Sequence, residues 1–150
     1  MSLGWGSGME FFQSFCLSLG KYGCYFLCIL NVAEQFNGKK FNVAEIFGLA
    51  VAAIRKGYVF FDYQDYSNPD NFFVHNPDKL LSLATGEKWT VEKKEPSYKS
   101  VAGDYVVEQW SADGHIKHFA RIANGFNSLQ KSSCVSNGKI VGLRVFRRIK

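Results

Sequence analysis

Gly23-Cys24-Tyr25-Phe26-Leu27-Cys28-Ile29-Leu30-Asn31-Val32-Ala33-Glu34-Gln35-Phe36-Asn37-Gly38 is the stretch that decides the fold. Read as a helix, it is apolar on nearly every face, through Tyr25, Phe26, Leu27, Ile29, Leu30 and Val32. A helix with no polar face runs through the middle of a fold, not along its surface. Gly23 permits a tight entry, and Asn37-Gly38 is a left-handed stop signal. The spacing therefore predicts a central helix over residues 23–36, with the rest of the chain arranged around it.

Upstream, a short helix is expected over residues 10–19, stopping at Gly20. Downstream, Asn42 is a good N-cap for a third helix that carries Ala44, Ile46, Phe47, Leu49, Ala50, Ala53 and Ile54 to a stop at Gly57. Asn76-Pro77-Asp78 starts a short helix, with proline in its first turn, ending near Gly86. Beyond that point the period changes. Trp89-Thr90-Val91, Asp104 to Trp110, His115 to Ile122 and Ile140 to Phe146 read as strands, with turns at Ala112-Asp113-Gly114, Asn124-Gly125 and Ser136-Asn137-Gly138. Helices followed by an antiparallel meander make an α+β architecture. Residues 1–8 read as a loose leader or an appended remnant, and residues 9–150 as a single domain.

Composition supports a packed domain. Of 150 residues, 47% are hydrophobic and 16% aromatic, with fourteen phenylalanines. Such a chain is not disordered. No apolar run reaches the ~20 residues that span a bilayer, so no membrane span is expected. Without an export signal, a cytoplasmic location with reduced thiols at Cys16, Cys24, Cys28 and Cys134 is the natural reading. Their spacing, with His115 and His118 on opposite faces of a strand, suits a metal poorly, so no metal or cofactor is expected. The net charge is +5. Arg144, Arg147, Arg148 and Lys150 crowd the end of the chain, and Lys88, Lys93 and Lys94 form a second group. No nucleic-acid motif accompanies them, and a strand would split the tail between faces, with Arg144 and Arg148 on one and Arg147 on the other. This argues against a specific nucleic-acid partner.

A nucleophilic cysteine requires thiolate, which a helix N-terminus and a nearby base favour. Cys24 has that position; Cys28 lies a turn deeper. Of the three histidines, His75 precedes the Asn76-Pro77 cap and reads as a loop residue, and His115 opens its strand facing solvent. His118 is mid-strand, sharing a face with Ala120 and Ile122 that is expected to pack on helices. A buried structural cysteine and a satisfied core histidine are the plainer alternatives for these two residues.

Gln13, the Tyr22-Gly23-Cys24-Tyr25-Phe26 helix start and the His118-Phe119 strand resemble the papain-like cysteine peptidase pattern. More closely, the run resembles an uncharacterised papain-like family of spirochaetes and bacteriophages. The shared stretches are Gly-Cys-Tyr-Phe, Val74-His75-Asn76-Pro77, His-Phe, a Ser-Leu-rich segment, and a closing Gly-Lys-Ile with Arg144-Val145-Phe146. The resemblance implies a central helix packed on an antiparallel sheet, Cys24 as nucleophile and His118 as general base. It also implies Gln13 as an oxyanion donor and Asn127 as the residue that orients the imidazole. A two-residue turn at Asn124-Gly125 would leave His118 roughly 13 Å from Asn127, whereas a wider loop would set them opposite one another.

Two functions follow. One is a cysteine hydrolase performing amide or ester acyl transfer on a peptide or peptidoglycan-like substrate. The other is a non-catalytic papain-like binding module that uses its basic surface.

Overall fold

The computed structural model describes residues 5–121 and 138–150. Four helices precede four strands: α1 (Trp5–Tyr22), α2 (Cys24–Asn37), α3 (Val43–Arg55), α4 (Pro77–Thr85), β1 (Trp89–Lys94), β2 (Tyr105–Ser111), β3 (His118–Ala120) and β4 (Lys139–Arg148). The architecture is α+β, and the sheet is antiparallel throughout. No single helix among the described residues is long and apolar enough to cross a membrane.

The central helix is where its composition puts it. Phe26, Leu27, Ile29, Leu30, Val32 and Ala33 of α2 are all fully buried. It shares one core with Trp89, Val107 and Phe146 of the sheet and with Phe15, Ile46, Ala50, Leu80 and Leu81 of the remaining helices. The helix ends at Gly38, whose φ of 70° is left-handed and whose N–H closes on Glu34 O. Asn42 and Glu45 form a reciprocal capping box at the start of α3, each side chain binding the other's backbone N–H. Pro77 opens α4.

Three local readings are corrected. The first helix begins at Trp5, inside the stretch read as a leader, and passes through Gly20 to Tyr22. A glycine within a helix costs only about 1 kcal/mol and removes no hydrogen bond, and Phe15 and Leu19 anchor this segment in the core. The break falls at Gly23, where α1 and α2 meet at 89°. A Cβ on Gly23 would stand 2.4 Å from Leu19 O, so the corner requires glycine. The third strand is only three residues long, because the hairpin before it is a hydrogen-bonded loop. Asp113 accepts the N–H groups of His115 and Ile116 at 2.8 and 2.9 Å, and Ser111 Oγ donates to Ile116 O at 2.8 Å.

The sheet is not a meander. Its order is β1-β4-β2-β3, with the last strand inserted between the first two. Leu143, Val145 and Phe146 make β4 buried on both faces, which suits an interior strand. The register sets Lys93 opposite Arg144 and Val91 opposite Phe146. It also sets Gln109 opposite Phe119 and Trp110 opposite His118.

Candidate functional site

Where the corner between α1 and α2 faces the sheet, a cavity of about 610 Å³ opens. It has three walls. The corner contributes Tyr22, Cys24 and Tyr25, the segment 69–75 forms a second wall, and the sheet with the residue before β3 supplies Lys93, Gln109, Lys117, Phe119 and Arg144.

Cys24 is half-buried in the first turn of α2, and the Phe119 N–H points to its sulfur at 3.5 Å. This contact joins two elements 95 residues apart in sequence. Tyr25, next along the helix, stacks on the Phe119 ring with centroids 4.1 Å apart. The Arg144 guanidinium lies over the same ring at 5.4 Å. Burial pushes the Tyr25 phenol well above its usual range, with the charge of Arg144 opposing the shift. Its hydroxyl is buried and has no hydrogen-bond partner among the described residues. Cys16, on α1, is also raised by burial, as befits a packing thiol.

The wall formed by residues 69–75 is held in a strained form. Phe72 has a φ of 65°, rare for a residue with a side chain. Its N–H donates to Phe60 O at 2.8 Å, and its ring packs edge-on against Phe15 at 5.3 Å. The buried Asn71 beside it accepts from Asp62 N–H at 2.7 Å and donates to Asp65 O and Ser18 Oγ at 3.0 and 3.3 Å. Tyr22 Oη donates to Ser67 O at 2.8 Å, tying this wall to the helix corner. His75 ends the wall and is exposed, with Phe73 edge-on to its ring at 5.0 Å.

The four residues singled out from sequence fare differently. Cys24 lies in the cavity. His118 is on the strand that touches it, but strand alternation turns its side chain to the other face from Phe119. There Trp110 is its cross-strand neighbour. Lys117 and Phe119, its two neighbours, line the cavity and His118 does not; the imidazole in the wall belongs to His75. The face shared by His118 and Ala120 is expected from sequence to pack on helices, but it is the Phe119 face that meets α2. Ala120 is buried, yet on the opposite side of the strand from the ring that stacks on Tyr25. Gln13 is exposed on α1, roughly 13 Å along the helix from Tyr22 at 1.5 Å per residue. It is not among the residues that line the cavity; the side-chain amides there are Gln109 and Asn71. Asn127 lies outside the described residues.

A family model describing proteins of unknown function, DUF261, matches residues 12–148. The chain belongs to the DUF261 family. The match takes in every cavity residue, from the α1–α2 corner to Arg144. No curated protein and no solved structure matches the chain.

Sequence reasoning missed Tyr25, Lys93, Lys117 and Gln109 as site residues. A signal for Lys93 was present: it follows Trp89 and Val91 at strand spacing, so alternation directs it to the helix-facing side. Lys117 stands in the same relation to Phe119. The Val74-His75-Asn76-Pro77 stretch was visible as a motif, but not as part of the cavity wall.

Proposed function

We propose that this DUF261 chain is a cysteine-dependent hydrolase of papain-like type, with Cys24 as its nucleophile. The observation that carries this reading is the placement of the Cys24 sulfur in the first turn of α2, on the cavity and against the Phe119 N–H. Helix N-termini present N–H donors without intrahelical acceptors and favour negative charge, so thiolate is supported there. The same donors suit an oxyanion forming beside the sulfur. His75 is the imidazole that opens onto this cavity. In this reading it, rather than His118, receives the thiol proton, directly or through one water.

The chemistry is acyl transfer. The sulfur adds to an amide or ester carbonyl, and the collapsing intermediate expels the amine or alcohol, which takes up the proton held by the imidazole. The thioester left on Cys24 is then cleaved by water, releasing the acid and restoring the thiol. Gln109, opposite Phe119 in the sheet, is the side-chain amide nearest in role to the one expected of Gln13.

Alkylation by iodoacetamide at about pH 6, followed residue by residue, tests the reading. Cys24 should label faster than Cys16, Cys28 and Cys134. His75→Ala should remove that advantage, and His118→Ala should leave it. A chromogenic acetyl ester should leave one acetyl group on Cys24, read by intact mass. If His118→Ala silences Cys24 while His75→Ala does not, the base assignment is wrong. Uniform slow labelling with no acyl-enzyme would leave the non-catalytic binding module as the function, a reading favoured by the three cations in the cavity wall.

A further inference from the structure

Lys93 and Arg144 stand directly opposite one another on β1 and β4, and both line the cavity, as does Lys117. Like charges paired across strands are destabilising, so a cavity wall built this way needs a reason. Three other cations of the sheet region have carboxylates: Lys94 with Glu92 at 3.0 Å, Arg148 with Glu87 at 3.7 Å, and Arg147 with Asp104. Among the described residues, no ion pair involves Lys93, Lys117 or Arg144. Asp70 is the one carboxylate among the described residues of the cavity lining, in the 69–75 wall. Among the described residues, Arg144 Nη1 donates only to the carbonyl of Leu143, at 3.3 Å. Beside it, the Tyr25 hydroxyl is a buried donor lacking a partner among the described residues. Buried polar groups are normally satisfied, and an orphan donor in a cavity wall marks a place where an acceptor belongs.

These groups share a chemistry. A planar guanidinium, two ammonium groups and a phenol O–H all donate to oxygen anions, and Arg144 is suited to a carboxylate held by two parallel bonds. The rings of Phe119, Tyr25 and Phe72 supply the apolar remainder of the surface. We infer that the cavity receives a carboxylate of its ligand on Lys93, Lys117 and Arg144, with Tyr25 Oη completing the set, so that Cys24 meets an acyl compound that is anionic and carries an apolar body. The substrate class rests on the hydrolase reading; the carboxylate site itself does not.

Two alkylating agents of nearly one shape, neutral iodoacetamide and anionic iodoacetate, test it on the whole chain, with Cys16 as internal reference. The iodoacetate-to-iodoacetamide rate ratio at Cys24 should exceed that at Cys16 by about tenfold, as charge-assisted recognition warrants. Arg144→Gln and Lys93→Gln should each pull it back toward the Cys16 value. Equal ratios at the two thiols, with Cys24 still fast toward iodoacetamide, would overturn the carboxylate site and leave the nucleophile intact. If Cys24 reacts with neither reagent, the hydrolase reading fails and calorimetry decides the site. N-benzoylglycine should then bind the chain at least about tenfold more tightly than its neutral amide, and Arg144→Gln should erase the difference. Equal binding of acid and amide, no binding of either, or displacement by equimolar inorganic phosphate would overturn the assignment.

Discussion

On the face of the sheet turned away from α2, Lys94 pairs with Glu92, and Arg147 pairs with Asp104, whose side chain is fully covered. On the face turned toward α2, Lys93 faces Arg144 across the strands and neither has a carboxylate among the described residues. The same strands, β1 and β4, supply both sets. Strand alternation sends residues 93 and 144 to one side and residues 94 and 147 to the other. Arg148, on the same face as Arg144 and over the Phe36 ring of α2, is paired with Glu87, so a sequence under pressure only for stability has no reason to leave Lys93 and Arg144 without a carboxylate. Paired charges on either side close a surface, whereas the like charges of Lys93 and Arg144 cost stability and belong to something that binds there.

The largest expected effect is on the paired face. Asp104 accepts from Tyr98 Oη at 2.6 Å, Val101 N–H at 2.9 Å and Arg147 Nε at 2.9 Å. Asp104→Ala removes these and the second bond from Arg147, through Nη2, and should cost about 1–2 kcal/mol, kept near the lower end because Arg147 is half exposed and its charge is screened. Burial alone would raise this carboxyl; Tyr98, Val101 and Arg147 together outweigh it and hold it below its usual value. A group depressed in the folded state adds stability above its unfolded pKa and loses it as pH falls. Wild type and variant should therefore differ in melting temperature near neutrality and converge below about pH 4. A gap that persists in acid would mean that packing, not charge, is what Asp104 supplies.

How much of this was legible depends on the range of the signal. Local chemistry was readable: the all-round apolar face of α2, the Gly38 stop, the Asn42–Glu45 box and Pro77 at the head of α4 are each written within a few residues. Cys24 at a helix start is local too. Strand order was not, because the insertion of β4 between β1 and β2 depends on pairings some fifty residues apart, such as Val91 with Phe146. The burial of Leu143 and Val145 on one face of β4 and Phe146 on the other hinted at an interior strand. His118 shows how a correct local pattern can mislead. Ala120 is buried as its apolar neighbourhood suggested, but a strand has two faces, and only the docking of Phe119 onto Tyr25 decides which one meets the helix. Gln13 lies away from the corner for a geometric reason, since a helix that continues to Tyr22 carries its start away from it.

On the unpaired face the sign should reverse. Arg144→Gln removes a cation from opposite Lys93 and should raise stability by roughly 0.2–1 kcal/mol, the scale of a cross-strand pair. Arg147→Gln, three residues on and on the other face, should lower it. Thermal unfolding of the two variants side by side is the check, and a loss of stability in both would remove the distinction between the faces.

The smallest effect is the most specific. If Lys93 and Arg144 repel one another, neutralising either relieves the whole interaction, and neutralising the second gains nothing more. The double variant Lys93→Gln/Arg144→Gln should thus be no more stable than the better single variant. The cycle then yields a repulsive coupling of a few tenths of a kcal/mol, within the cross-strand range of about 0.2–1. Lys93 is exposed, so this coupling is open to solvent screening. The screening length shrinks from about 10 Å at 0.1 M salt to about 3 Å at 1 M, and the coupling should fade over that range. A carboxylate ligand should change its sign, because an anion bridging two cations makes each worth more in the presence of the other. The cycle measured with saturating N-benzoylglycine should therefore turn favourable. A coupling that is favourable without ligand, or that ignores both salt and ligand, would mean that the protein already holds the two cations together, and the contrast between the faces would lose its functional meaning.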